Sequence, residues 1–138
     1  MNAPTPAAGI GAVRSWTIPL PFTEPLSTNQ LRGKHWAVER RMTRPWKDAA
    51  IVLARRSRIP RLERFTVVLH FAPRTKRDEQ RDLDNLHACL KPLVDGLKHA
   101  GAAVDDNAKR YTPTAPVIHP ATGEPGRLWL VVIDLTGE

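Results

Sequence analysis

A chain of 138 residues with 41% hydrophobic side chains can bury one modest core and is too short for two. It has no run of 18 apolar residues, which excludes a membrane-spanning helix, and its single cysteine, Cys89, excludes an internal disulfide framework. The 21 Lys and Arg against 14 Asp and Glu leave a formal net charge of +7, an excess that points to a polyanionic partner.

Residues 1–13 are rich in Ala, Pro and Gly and lack a charged n-region. They are expected to form a flexible tail rather than a secretory signal, with residues 14–138 as the folded domain. A lone thiol fits a reducing cytoplasm. With no second cysteine near the five histidines, a structural zinc site is not expected.

Trp16, Ile18, Leu20 and Phe22 alternate with Ser15, Thr17, Pro19 and Pro21, which predicts a half-buried strand. Its two prolines cannot donate ladder hydrogen bonds, so it belongs at an edge or ends early. Residues 23–42, with Ser27, Asn29, Arg32, Lys34, His35 and Trp36, show no clean period and are expected to form a long ordered loop. The pattern turns helical from Thr43 to Arg58, with Pro45 in the first turn and Pro60 beyond the end. Phe65, Val67, Leu69 and Phe71 alternate with Thr66, Val68 and His70, a second strand that feeds a basic loop at 73–81.

After Asp84 the apolar spacing is helical. At about 100° per residue, Leu86, Leu90, Leu93, Val94 and Leu97 fall on one stripe, and Asp84, Lys91, Asp95 and Lys98 on the other side. Pro92 removes a backbone hydrogen bond and Gly96 weakens the helix, so a restart at Pro92 is one solution; Gly101 marks the stop. Residues 107–120, with three prolines, are expected to be a broken strand and a loop. Leu128–Leu135 is nearly all apolar, as in a strand covered on both faces. The expected fold class is α+β: a single domain with a mixed four- to five-stranded sheet packed by two main helices.

Nine basic residues against two acids lie between Arg32 and Arg58, and Arg74, Lys76, Arg77 and Arg81 form a second cluster. Solvated surface explains most charge runs, but clusters this dense around a loop and a carboxylate motif favour a phosphate backbone. That motif is Asp82-Leu83-Asp84-Asn85, followed after the helix by Asp105-Asp106. In an extended chain Asp82 and Asp84 project to one face, and Mg²⁺ takes such hard oxygen ligands while sharing its sphere with substrate phosphate. A lone Asp-x-Asp is common in loops, Asp84 is a plausible helix N-cap, and Asp105-Asp106 a plausible turn. The order strand, Asp-x-Asp-Asn, amphipathic helix, Asp-Asp is the stronger signal. Lys91 is placed to meet phosphate oxygens and His87 is expected at the surface. Cys89 is expected to be small and partly buried. Trp36 is a candidate for stacking on unpaired bases, and Trp46 a core residue.

Arg81-Asp82-Leu83-Asp84-Asn85-Leu86, Asp95-Gly96-Leu97, His99-Ala100-Gly101 and Asp105-Asp106 together resemble the RusA endodeoxyribonucleases, Holliday junction resolvases common in phages and prophages. The resemblance spans roughly residues 15–136. It implies a RusA-like fold and a Mg²⁺- or Mn²⁺-dependent homodimer that nicks two opposed strands of a four-way DNA junction symmetrically. On the matching positions it implies Asp82, Asp84 and Asp106 as metal-binding acids, with Asp105 beside them. The loop carrying Asn29 and Arg32 is similar to the family's junction-contacting loop. Lys34, Arg40, Arg41, Arg74, Lys76, Arg77 and Arg81 are the further candidate DNA contacts. The sequence departs from the family pattern at its lysine: the prototype has it four residues after the second Asp, where this chain has Ala88, and Lys91 stands one turn later. The alternatives are a non-catalytic basic DNA-binding module and a metal-dependent nuclease on other branched DNA or on RNA.

Overall fold

The computed structural model describes residues 13–26, 31–80 and 83–137, without the side chains of 83–85. The expected tail up to residue 12, and Asn29, Arg81 and Asp82, lie outside the described residues, as does the side chain of Asp84.

Five strands make one mixed sheet: β1 (Ser15–Leu20), β2 (Phe65–Ala72), β3 (Tyr111–Thr112), β4 (Val117–Ile118) and β5 (Arg127–Asp134). Strand β5 lies between β1 and β2 and is antiparallel to both. The short β3 and β4 run parallel to β2 along its other side, β3 at Phe65–Thr66 and β4 at His70–Phe71. Strand β1 is an edge, as its prolines require. The broken strand expected at 107–120 is the β3–β4 pair. The α+β fold, with a mixed sheet and two helices, is the one expected from the sequence.

The two helices are α1 (Trp36–Arg56) and α2 (Leu83–His99). One core joins them to the sheet: Ile18, Leu20, Val67, Leu69, Leu128 and Leu130 from the strands meet Trp46 and Ala50 of α1 and Leu86, Leu93 and Leu97 of α2. The apolar stripe read from the sequence of α2 is buried along its whole length. Trp46 stacks on Phe22 at 4.0 Å between ring centroids.

Three expectations are corrected. Helix α1 begins at Trp36, seven residues before Thr43, because His35 caps it by accepting the Ala37 N–H on Nδ1 at 3.2 Å. The basic run 40–44 conceals the start, since it carries no apolar stripe. Pro45 therefore stands in the helix interior rather than its first turn. Second, β5 alternates: Leu128, Leu130 and Val132 are buried, whereas Trp129, Val131 and Ile133 are half-exposed, because both helices cover the same sheet face. Third, Cys89 is fully buried, with its thiol 3.3 Å from the Leu26 carbonyl.

Helix α2 is continuous through Pro92. Gly96 has a packing role: a Cβ there would lie 2.5 Å from the Lys47 carbonyl oxygen and 2.6 Å from the Ala50 Cβ, so only glycine lets α1 approach this closely. At the C-terminal end, Gly101 takes φ +83. Its N–H donates to the Lys98 carbonyl, and the Ala102 N–H donates to the Leu97 carbonyl. This is a Schellman cap, and it turns the chain back toward the sheet. Among the described residues no helix is long and apolar enough to cross a membrane.

Candidate metal and nucleic-acid site

The path of the chain around β2 decides where each acid stands. The basic segment 73–80 leaves the C-terminal end of β2, and α2 then runs back along the sheet. Two backbone hydrogen bonds anchor the returning chain at the opposite end, from the Leu62 N–H to the Ala102 carbonyl (3.0 Å) and from the Val104 N–H to the Leu62 carbonyl (3.2 Å). Positions 84 and 98 are separated by most of α2, about 21 Å at 1.5 Å per residue.

Asp105 and Asp106 gather on the side chain of Lys98. The ammonium is 3.1 Å from Asp106 Oδ1 and 3.6 Å from Asp105 Oδ1. Asp105 Oδ1 also accepts the Asp106 N–H at 2.8 Å, and Asp105 Oδ2 accepts from Asn107 Nδ2 at 3.1 Å. The backbone donor at Asp106 holds the Asp105 carboxyl below the usual carboxylate range; desolvation opposes it, and Asn107 and Lys98 add to the lowering. The hydrogen bond to Asp106 raises the Lys98 ammonium above its ordinary value, with desolvation opposing. Tyr111 is pushed up by burial first and by the Asp106 charge second.

These two carboxylates fit a hard cation, because they already converge on one positive centre. They do not converge with position 84. The contact between Asp106 and Lys98 puts the second acidic pair near the far end of α2. Mg²⁺ binds oxygen at about 2.1 Å, too short a reach for one ion to join both ends of this helix. Among the described residues no group of three or more His, Cys, Asp or Glu side chains is placed to hold a metal.

Lys91 is 79% exposed and lies 3.7 Å from Asp95 Oδ1, so the structure sets it on the seam between the helices and not against Asp106. That seam is formed by two adjoining grooves that share Thr43, Pro92 and Asp95. Arg32, Glu39, His87 and Lys91 line the groove nearer position 84, and Arg40, Arg41, Arg44, Lys47 and His99 the one beyond. Its acids are Glu39, Asp48 and Asp95, of which Asp48 lies 3.8 Å from Arg44. Among the described residues no carboxylate pairs with Arg40, Arg41 or Lys47. Trp36 is 63% exposed at the start of α1, with the Arg40 guanidinium over its ring.

Of the other basic candidates, Lys34, Arg74, Lys76 and Arg77 are exposed. The 73–81 segment, expected as a loop, holds a 3₁₀ turn at Lys76–Gln80. It is tied to the C-terminal part of the chain by the Ala121 N–H donating to Glu79 Oε2 at 2.8 Å. Sequence reading counted Arg44 and Lys47 in the basic run without assigning them as contacts, and missed His99 on the seam and the contact of Lys98 with the acids. The spacing Arg40, Arg44, Lys47 is a helical stripe that becomes visible once α1 is known to begin at Trp36. No protein-family model matches the chain, and no curated protein matches it.

Proposed function

We propose that the protein is a metal-dependent, structure-selective endodeoxyribonuclease that resolves four-way DNA junctions by paired symmetric nicks, acting as a homodimer in the manner of the RusA enzymes it resembles. The observation that carries the DNA reading is the seam between α1 and α2. Six cations line it against three acids, and position 84 stands near one end. A groove of this sign tracks a phosphate backbone, and exposed Trp36 offers a ring to an unpaired base beside it.

Asp82, Asp84 and Asp106, with Asp105 beside them, would hold Mg²⁺ or Mn²⁺. When bound, such an ion activates a water and offsets charge at the scissile phosphate. Arg40, Arg44 and Lys47 grip the strand, and Lys91, exposed on the same seam, meets its phosphate oxygens. Because positions 84 and 106 stand at opposite ends of α2, a shared ion takes Asp84 from one copy and Asp106 from another. The homodimer supplies both, and its two-fold symmetry suits a four-armed substrate.

The test is incision of a synthetic mobile four-way junction with and without Mg²⁺, mapped to the nucleotide. Asp82→Asn or Asp84→Asn removes cutting and leaves junction binding intact, since neutralising an acid near phosphate leaves every basic group in place. Binding that disappears in parallel with cutting counts against the proposal. Flaps, forks and RNA at matched salt distinguish a nuclease of other specificity.

The separation of positions 84 and 106 within one chain also favours a second reading, a non-catalytic basic DNA-binding module that keeps a relict acidic motif. It is distinguished by salt-sensitive junction binding with no incision in Mg²⁺ or Mn²⁺.

A further inference from the structure

We propose that the Lys98 ammonium is the resident cation of the Asp105–Asp106 pair, the group that a divalent ion must displace, so that Lys98 sets the metal concentration at which this part of the site loads. The inference rests on the reading above that Asp106 takes a metal.

Three observations support it. The ammonium touches both carboxylates at once, at 3.1 Å and 3.6 Å, as a cation shared between them does. Both ends of the contact are held by fixed backbone: Lys98 sits in the capped last turn of α2, and the 102–104 segment is hydrogen-bonded to Leu62. The pair is also partly withdrawn from water, with the side chains of Lys98 and Asp106 only 34% and 32% exposed, where water screens a charge pair less than at an open surface. Lys91, the lysine singled out by the sequence, meets a single carboxylate, Asp95, at 3.7 Å and is 79% exposed.

The chemistry of lysine turns occupancy into competition. An ammonium only donates hydrogen bonds and cannot join a metal's ligand sphere. A divalent ion seated on the Asp106 carboxylate brings two positive charges against the Lys98 ammonium 3.1 Å from Oδ1, so metal entry weakens the ion pair. Without metal, Lys98 offsets the repulsion between adjacent carboxylates and keeps them gathered. A lysine that merely stabilised the turn would have the opposite signature, because its loss would disorder the acids and weaken metal binding.

Mn²⁺ binding to the full chain without DNA, followed by electron paramagnetic resonance of the free ion, tests this with a readout independent of cutting. Lys98→Met is expected to bind Mn²⁺ about two- to fivefold more tightly, the range for one partly exposed ion pair. Lys98→Arg and Lys91→Met stay near wild type. Unchanged or weaker binding by Lys98→Met overturns the proposal, as does the absence of Mn²⁺ binding in every variant. A second measurement avoids dependence on folding of a variant: on Mg²⁺ titration of the wild-type chain, the Lys98 Cε resonance shifts along the binding isotherm and that of Lys91 does not. A Lys98 signal unmoved at saturation also overturns it. A tighter Lys98→Met in a chain that never nicks a junction sinks the nuclease reading alone, whereas a cutting wild type with no Lys98 effect sinks this inference alone.

Discussion

Gly96 of α2 faces Ala50 of α1 so closely that a Cβ on the glycine would stand 2.6 Å from the alanine's. The approach sets the width of the interhelical seam, and the seam carries the cations that make this surface a nucleic-acid candidate. Gly96→Ala is a direct probe. In an unpacked helix the change adds about 1 kcal/mol of stability through propensity; here overpacking costs about 1–3 kcal/mol. A lowered thermal midpoint is the expected outcome, and a raised one would show that the helices do not meet as described.

If one ion takes acids from two copies, complementation follows. Asp84→Asn and Asp106→Asn proteins are each inactive alone. Mixed, they form heterodimers with one site carrying both lesions and one carrying neither. The expected product is a single nick per junction without the paired second cut, resolved on a denaturing gel. No activity in the mixture would assign both acids to a site within one chain.

The cations of the seam predict a salt dependence. Replacing Arg40, Arg44 and Lys47 with Ala should reduce the slope of log K against log salt by about 0.9 for each phosphate no longer neutralised, measured by fluorescence anisotropy with a labelled junction. An unchanged slope would move the DNA to another face of the molecule.

On the open face of the sheet, His70 Nδ1 lies 2.9 Å from His119 Nε2, and the His70 ring stacks on Trp129. Burial lowers the His70 pKa below its ordinary 6.5, and the neighbouring His119 lowers it further. Protonated His70 is thus disfavoured in the folded state only, and the unfolded chain binds more protons between the two pKa values. The contribution is fully present above pH 6.5 and is lost as pH falls toward the folded value. The urea midpoint should therefore drop from about pH 7.5 to about 5.5, and His70→Gln should flatten the drop. Equal slopes in both proteins would remove His70 as the cause.

The periodic elements were legible in the sequence. Strands β1 and β2 and the buried stripe of α2 follow from spacing alone, because a side chain's face is set by the local period of two or 3.6 residues. The stop at Gly101 was legible because only its φ, a local property, had to be known. The basic clusters and the two acidic pairs were also visible as residue types. The start of α1 was concealed, since His35 is an uncommon cap and Glu39, Arg40 and Arg41 interrupt the apolar spacing after the first three residues. The strand β5 was read as doubly covered because a run of Leu, Val and Ile does not disclose on which face the helices pack.

Only the tertiary structure decided which charges meet. The sequence placed Lys91 and Lys98 on one side of the same helix and singled out Lys91. The Schellman turn and the bonds to Leu62 brought Asp105 and Asp106 onto Lys98 and left Lys91 on the seam. The parallel β2–α2–β3 path likewise put backbone position 84 and the Asp105–Asp106 pair at opposite ends of α2. Local propensity reaches only a few residues along the chain, whereas the distance between 84 and 106 depends on how a whole helix is laid across the sheet.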